Sequence, residues 1–232
     1  MSHTTEQFAT RLQDLSEAYD VELTFTTRLY GGTPADEDLI RGWIKASMGL
    51  EGADLERMVA ETLANISTPE EPDPVLDEET AEPIIEHQEK GVSEVFKHNE
   101  DGHLIIEARQ LKSALREAQK RLKLSSNRAS DVKNAVWITP HTIEILHDGE
   151  PITEPDGYET RAKQLRMGGS ALGRHAFVEG AVLRFRLHRA RGIAVTWDML
   201  QDMLALCQVA GFGAMHNHGE GQFVVTKWEE AE

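Results

Sequence analysis

From residue 103 to residue 227 the hydrophobic pattern switches repeatedly between two periods, and the order of those switches restricts the fold more than anything else in the chain. Residues 103–106 read as a short strand, and Arg109 to Leu122 sets Leu111, Leu115, Ala118 and Leu122 on one helical stripe. Ala135 to Ile138 and Thr142 to Leu146 have strand character, interrupted by Pro140-His141, and Asp148-Gly149 is a turn that closes a hairpin. Val182 to Leu187 alternates Leu183, Phe185 and Leu187 against Arg184 and Arg186. Thr196 then caps the helix TWDMLQDMLALCQVAG, Gly211 ends it, and Gln222 to Lys227 alternates as a last strand. Strand, helix, strands, strand, helix, strand is the order of a split βαβ unit. It predicts an α+β chain with a ferredoxin-like core, its helices on one face of an antiparallel sheet.

Upstream the pattern is less regular. Residues 5–18 space Phe8, Leu12 and Leu15 as a helix, and Val21 to Leu29 alternates as a strand stopped by Gly31-Gly32. Asp36 begins a capped helix and a further helix runs from Asp54 to Asn65, so 36–66 is read as a helical insertion. Residues 67–90 hold four prolines among many carboxylates and are read as an acidic flexible segment. One domain over 1–232 that carries both insertions suits the length. Asp36 and Asp38 fit helix capping and first-turn positions.

Cys207 stands alone in an apolar helical pattern and is expected to be a buried thiol. The chain contains no apolar run long enough to span a bilayer, and its first residues lack the basic-then-apolar order of a signal peptide; a cytoplasmic location and no membrane partner are expected.

The formal net charge of −16 is unevenly spread: residues 1–100 hold 7 basic and 23 acidic side chains, residues 101–194 hold 16 and 11, and residues 195–232 hold 1 and 6. A basic middle between acidic flanks fits a localised polyanion site, and equally an acidic surface that repels or imitates nucleic acid.

Two segments are candidates for that site. In GFGAMHNHGEGQF, Gly211, Gly213, Gly219 and Gly221 lie between a helix and a strand, where glycine backbone can bring N–H groups to phosphate or ribose oxygens. A loop that needs the glycines only for its own tight path is the alternative. The surroundings are those of neither a dinucleotide fingerprint nor a metal site, and no cofactor or metal is expected. In LRMGGSALGRHAF, Arg166, Arg174 and His175 stand beside Gly168, Gly169 and Gly173, an arrangement suited to RNA-backbone contacts or to a solvated surface loop. His216 and His218 are the only residues of the glycine-rich loop with acid–base chemistry near neutral pH, and are kept as catalytic alternatives.

The run IIEARQLKSALREAQKRL resembles the strand-to-helix segment of the RAMP superfamily, the RNA-binding backbone subunits of CRISPR effector complexes, with Leu111, Lys112, Ala114, Leu115 and Arg116 at matching positions. Phe177, Glu179, Gly180 and Phe185 resemble its glycine-containing loop and following strand, Gly211 to Gly221 its C-terminal glycine-rich loop, and VELTFTTRLYGG its opening strand. The resemblance implies a modified RNA-recognition-motif core that binds single-stranded RNA along the backbone, as one subunit among copies of itself or within a ribonucleoprotein. Lys112, Arg116, Arg166, Arg174 and the loop amides would then hold phosphates. Related endoribonucleases imply a second reading, metal-independent cleavage by His216 or His218. A third is an interaction or inhibitor module, virus-encoded or cellular, that uses the same fold with the acidic segment 67–90 as its arm. The centre of the glycine-rich loop, Met215-His216-Asn217-His218, departs from the family's basic pattern.

Overall fold

A computed structural model describes residues 14–35, 37–66, 94–164 and 170–231. In chain order the elements are β1 (Ser16–Phe25), β2 (Leu29–Tyr30), β3 (Thr33–Pro34), α1 (Glu37–Met48), α2 (Gly52–Ala64), β4 (Glu94–Val95), β5 (Lys97–His98) and β6 (Leu104–Glu107). There follow α3 (Ala108–Arg121), α4 (Ser126–Asn134), β7 (Val136–Thr139), β8 (Thr142–His147), β9 (Glu150–Pro151), β10 (Gly157–Gln164), β11 (Ser170–Val178), β12 (Val182–Ala190), α5 (Trp197–Ala210) and β13 (Phe223–Glu230). They form two compact units. One comprises Met1–Leu29, Ile105–Ile152 and Glu179–Glu232, and the other Tyr30–Leu104 and Thr153–Val178.

The first unit is the α+β core. Its strands lie in the order β13-β1-β12-β8-β6, with β7 also paired to β12, and the pairings β1–β12, β1–β13, β12–β7, β12–β8 and β6–β8 are all antiparallel. Along the chain, β1, α3, β7 with β8, β12, α5 and β13 make a strand–helix–strand–strand–helix–strand series whose last strand lies beside its first. That is the ferredoxin-like arrangement. The pleat sends Val21, Leu23 and Phe25 of β1 and Leu183, Phe185 and Leu187 of β12 to one face, all buried. Leu111 and Leu115 of α3 and Leu204 and Cys207 of α5 meet them there, with Ile138 and Phe223. α3 starts in a capping box in which Glu107 and Gln110 exchange side-chain-to-backbone hydrogen bonds, and α5 starts at Thr196, whose Oγ1 accepts from the Met199 N–H at 3.3 Å.

Two expectations are corrected. The pattern counted from residue 103 starts the core at 103–106, but the opening strand is β1, which runs into VELTFTTRLYGG, the segment whose resemblance implied it; β6 (Leu104–Glu107) lies beyond β8 on the other side of the sheet from β1. The helix expected over 5–18 gives way to strand from Ser16 onward, while residues 5–13 lie outside the described residues. Ser16 to Asp20 are held extended because β1 is hydrogen-bonded to β12 from Ser16 and to β13 from Tyr19, which outweighs local helical spacing.

Cys207 is buried on the inner side of α5, and burial pushes its thiol up to about 11. The native protein at pH 8 is expected to resist an aromatic disulfide reagent and to release one equivalent of thiol only when urea unfolds it; fast native labelling would contradict this packing.

In the second unit β10 and β11 pair antiparallel from Gly157–Phe177 to Gln164–Ser170, β4 runs parallel to β11, and β3 pairs with β4. Helices α1 and α2 pack on each other. Gly31 is required where it stands: a Cβ there would lie 2.3 Å from the Val95 carbonyl carbon.

Candidate nucleic-acid interface

Cations that could meet a polyanion must not be spent on carboxylates of the same chain. By that measure the arginines of β12 are poor candidates. Arg184, Arg186 and Arg189 stand directly across from Glu22, Asp20 and Glu17 of β1. The ion pairs are closed, at 2.7 Å for Arg184–Glu22, 2.8 Å for Arg186–Asp20 and 2.5 Å for Arg189–Glu17. Arg191 reaches Glu17 at 3.7 Å, and the Trp197 indole N–H donates to the same carboxylate at 2.9 Å. The arginines of this strand are thus matched by acidic partners on β1.

Hydrogen bonds from these arginines hold the Glu17, Asp20 and Glu22 carboxyls below the usual carboxylate range. A depressed folded-state pKa gives stability that is present above the unfolded value and lost as pH falls through the folded one. The urea midpoint is therefore expected to hold from neutral pH to about 4.5 and then to drop. Replacing Asp20 by Asn and Glu22 by Gln together should flatten that drop; an unchanged profile would mean that other carboxylates carry it.

Helices α3 and α4 present the opposite situation. Residues 108–134 hold eight basic and two acidic side chains in a protein whose net charge is −16. Arg109, Lys112, Arg116 and Lys120 recur at every third or fourth position, so they line one side of α3 over about 16 Å. Arg109 is tied to Glu107, while Lys120 and Arg121 share Glu117 at 3.5 and 3.9 Å. Lys112 and Arg116 make no ion pair among the described residues. Burial, and then the Arg116 charge, push the Lys112 ammonium below its ordinary range. Such a pair raises the free energy of the folded chain and is offset by an anion. Lys123, Arg128 and Lys133 extend the same basic run past the end of α3 and along α4. A reading by motif misses Arg128 and Lys133; the signal that finds them is the local charge count.

In the glycine-rich loop the glycines at the two ends, Gly211 and Gly221, meet backbone of the loop itself. Gly211, Gly213, Gly219 and Gly221 all have positive φ. A Cβ on Gly221 would lie 1.7 Å from the Phe212 carbonyl oxygen and one on Gly211 2.2 Å from that of Glu220, so the two ends of the loop cross backbone on backbone. The amides of Gly211, Gly219 and Gly221 donate to the carbonyls of Cys207, His216 and Arg28. His216 to His218 form one 3-10 turn, in which His216 Nδ1 lies 2.7 Å from the Gly213 carbonyl oxygen and His218 is exposed.

In the second unit Arg174 and His175 lie within β11, a regular strand. The Arg174 guanidinium sits 5.0 Å from the centroid of the Tyr158 ring. His175 is fully buried, with Nδ1 3.4 Å from a Glu94 carboxylate oxygen. Arg166, Gly168 and Gly169 lie outside the described residues, as does the acidic segment 67–90. Among the described residues no helix is long and apolar enough to cross a membrane.

No protein-family model matches the chain, and no curated protein matches it. Among solved structures, a chain in the cryo-EM structure of the type III-B Cmr-beta bound to cognate target RNA is similar at 13% sequence identity with a TM-score of 0.49, over 99% of this chain and 67% of that one.

Proposed function

We propose that this protein is a non-catalytic, RAMP-like RNA-binding protein that holds single-stranded RNA by its phosphates on the basic side of α3 and α4. It would work beside copies of itself or in a larger ribonucleoprotein. The observation that supports this best is the Lys112–Arg116 pair: two neighbouring cations, one partly desolvated, with no carboxylate set against either among the described residues. A folded chain gains nothing from that arrangement until an anion arrives. Both residues also stand in the segment that resembles the RAMP superfamily. The narrowness of the strip on an acidic protein suits one strand better than a duplex, whose wide charged surface would meet the carboxylates around it. Arg174 and Arg166, with Gly168 and Gly169, are secondary contacts in this reading. The loop of Gly211, Gly213, Gly219 and Gly221 shapes the core, and its histidines His216 and His218 have no catalytic part. His175 is left out because its side chain is inside.

The test is the salt dependence of single-stranded RNA binding, followed by fluorescence anisotropy. Each phosphate held by a cation contributes a slope of roughly −0.7 in log K against log salt, so three contacts would cost about twentyfold between roughly 50 and 200 mM salt. Affinity unchanged over that range would overturn the proposal.

A further inference from the structure

The sheet face opposite α3 and α5 carries one aromatic feature that neither the core nor the basic strip uses. Trp137 of β7 and His188 of β12 are register partners. Their rings are stacked with centroids 5.1 Å apart and planes within 4° of parallel. His188 Nε2 is fixed by the Thr139 hydroxyl at 2.7 Å. Neither ring belongs to the buried core, whose side chains from these strands are Val136, Ile138, Leu183, Phe185 and Leu187. The charges beside them are already matched, Arg186 with Asp20 and Arg184 with Glu22. Burial and the nearby Arg186 push the His188 ring below its ordinary range, so at neutral pH the imidazole is uncharged. What this face offers a ligand is flat π-surface in neutral surroundings. That suits a neutral aromatic ring and gives a phosphate little.

β7 links this feature to the basic helices. It pairs with β12 alone among the described strands, and α3 and α4 pack against it. Inward-facing Val136 and Ile138 alternate along it with Trp137 and Thr139. The basic helical layer and the stacked rings therefore lie on the two sides of one strand.

We infer that the Trp137–His188 stack is a nucleobase platform, on which a base of a single strand lies while its flanking phosphates turn around β7 toward Lys112, Arg116 and Lys133. This rests on the RNA-binding reading above and adds the part of the ligand that reading leaves unassigned. Stacking on an aromatic side chain tolerates every base, so the preference is for the presence of a base and not for its identity.

The test compares the full-length protein's affinity for a ten-nucleotide adenosine RNA with that for an abasic sugar–phosphate strand of equal length and charge. The wild type is expected to favour the base-bearing strand about tenfold. Trp137→Ala should erase that preference and keep the salt dependence; Trp137→Phe, which retains a ring and the packing of β7, should keep most of it. Equal affinity of the wild type for both strands, or a preference that survives Trp137→Ala, overturns the platform while the phosphate strip stands. If neither strand binds, both readings fall.

Discussion

Neutralising two charges on α3, Lys112→Gln with Arg116→Gln, is expected to weaken single-stranded RNA binding by about ten- to thirtyfold near 0.1 M salt and to lower the salt slope by roughly 1.4. The same double substitution should leave the urea midpoint unchanged or slightly raised. Lys112 is held below its ordinary pKa by desolvation and by Arg116, so removal of both charges relieves a repulsion that no carboxylate offsets. Loss of function with no loss of stability distinguishes a ligand-binding pair from a structural one. The counter-example is on the same unit: Arg186→Gln breaks a closed pair with Asp20 and should affect acid stability more than binding. Equal binding by the double variant and the wild type would place the phosphates elsewhere.

Gly221→Ala and Gly211→Ala are expected to be the most damaging single substitutions in the glycine-rich loop, each costing about 3–5 kcal/mol. Both positions have positive φ, at 69° and 78°, and at both a methyl group would overlap a carbonyl oxygen. Hydrogen bonds lock the crossing: the Phe212 N–H donates to the Gly221 carbonyl at 2.8 Å, and the Gly221 N–H donates to the Arg28 carbonyl at 2.8 Å. Gly219 is the internal control. Its φ of +82° is as unusual, but a Cβ there meets nothing within 4 Å, and Gly219→Ala should cost only about 1–2 kcal/mol. Urea unfolding of the three variants reads the difference directly. If Gly221→Ala were no worse than Gly219→Ala, the loop would have room to separate its two ends, and a ligand-facing role for its amides would regain ground.

The ferredoxin-like core is legible in the sequence because local patterns carry it: the stripe of Leu111, Leu115 and Ala118 on α3, the Thr196 cap and Gly211 stop of α5, and the alternation around Leu183 and Phe185. Position in the sheet is not a local property, so the pattern counted from residue 103 makes 103–106 the first core strand although β1 fills that role, as the likeness of VELTFTTRLYGG implied. The same blindness misjudges charge. Arg184 and Arg186 form a basic face when β12 is read alone, and become neutral once β1 brings Glu22 and Asp20 across from them. Lys112 and Arg116 survive because no ion pair from another element reaches them among the described residues, so i,i+4 spacing already describes their charge surroundings. The glycines of the loop are recognisable as conformationally special, but whether backbone or ligand approaches them depends on the meeting of Phe212 with Gly221, which no spacing rule states. Trp137 reads only as part of a strand; its partner His188 is named by the β7–β12 register.

The most direct measurement is photo-crosslinking of a 4-thiouridine-bearing single-stranded RNA to the full-length protein, with the attached peptides mapped by mass spectrometry. Cross-links concentrated between residues 108 and 140, and lost at high salt, are the expected result. Cross-links confined to other surfaces, or none under conditions where the RNA is in excess, would contradict the assignment of α3 and α4 as the RNA-binding face.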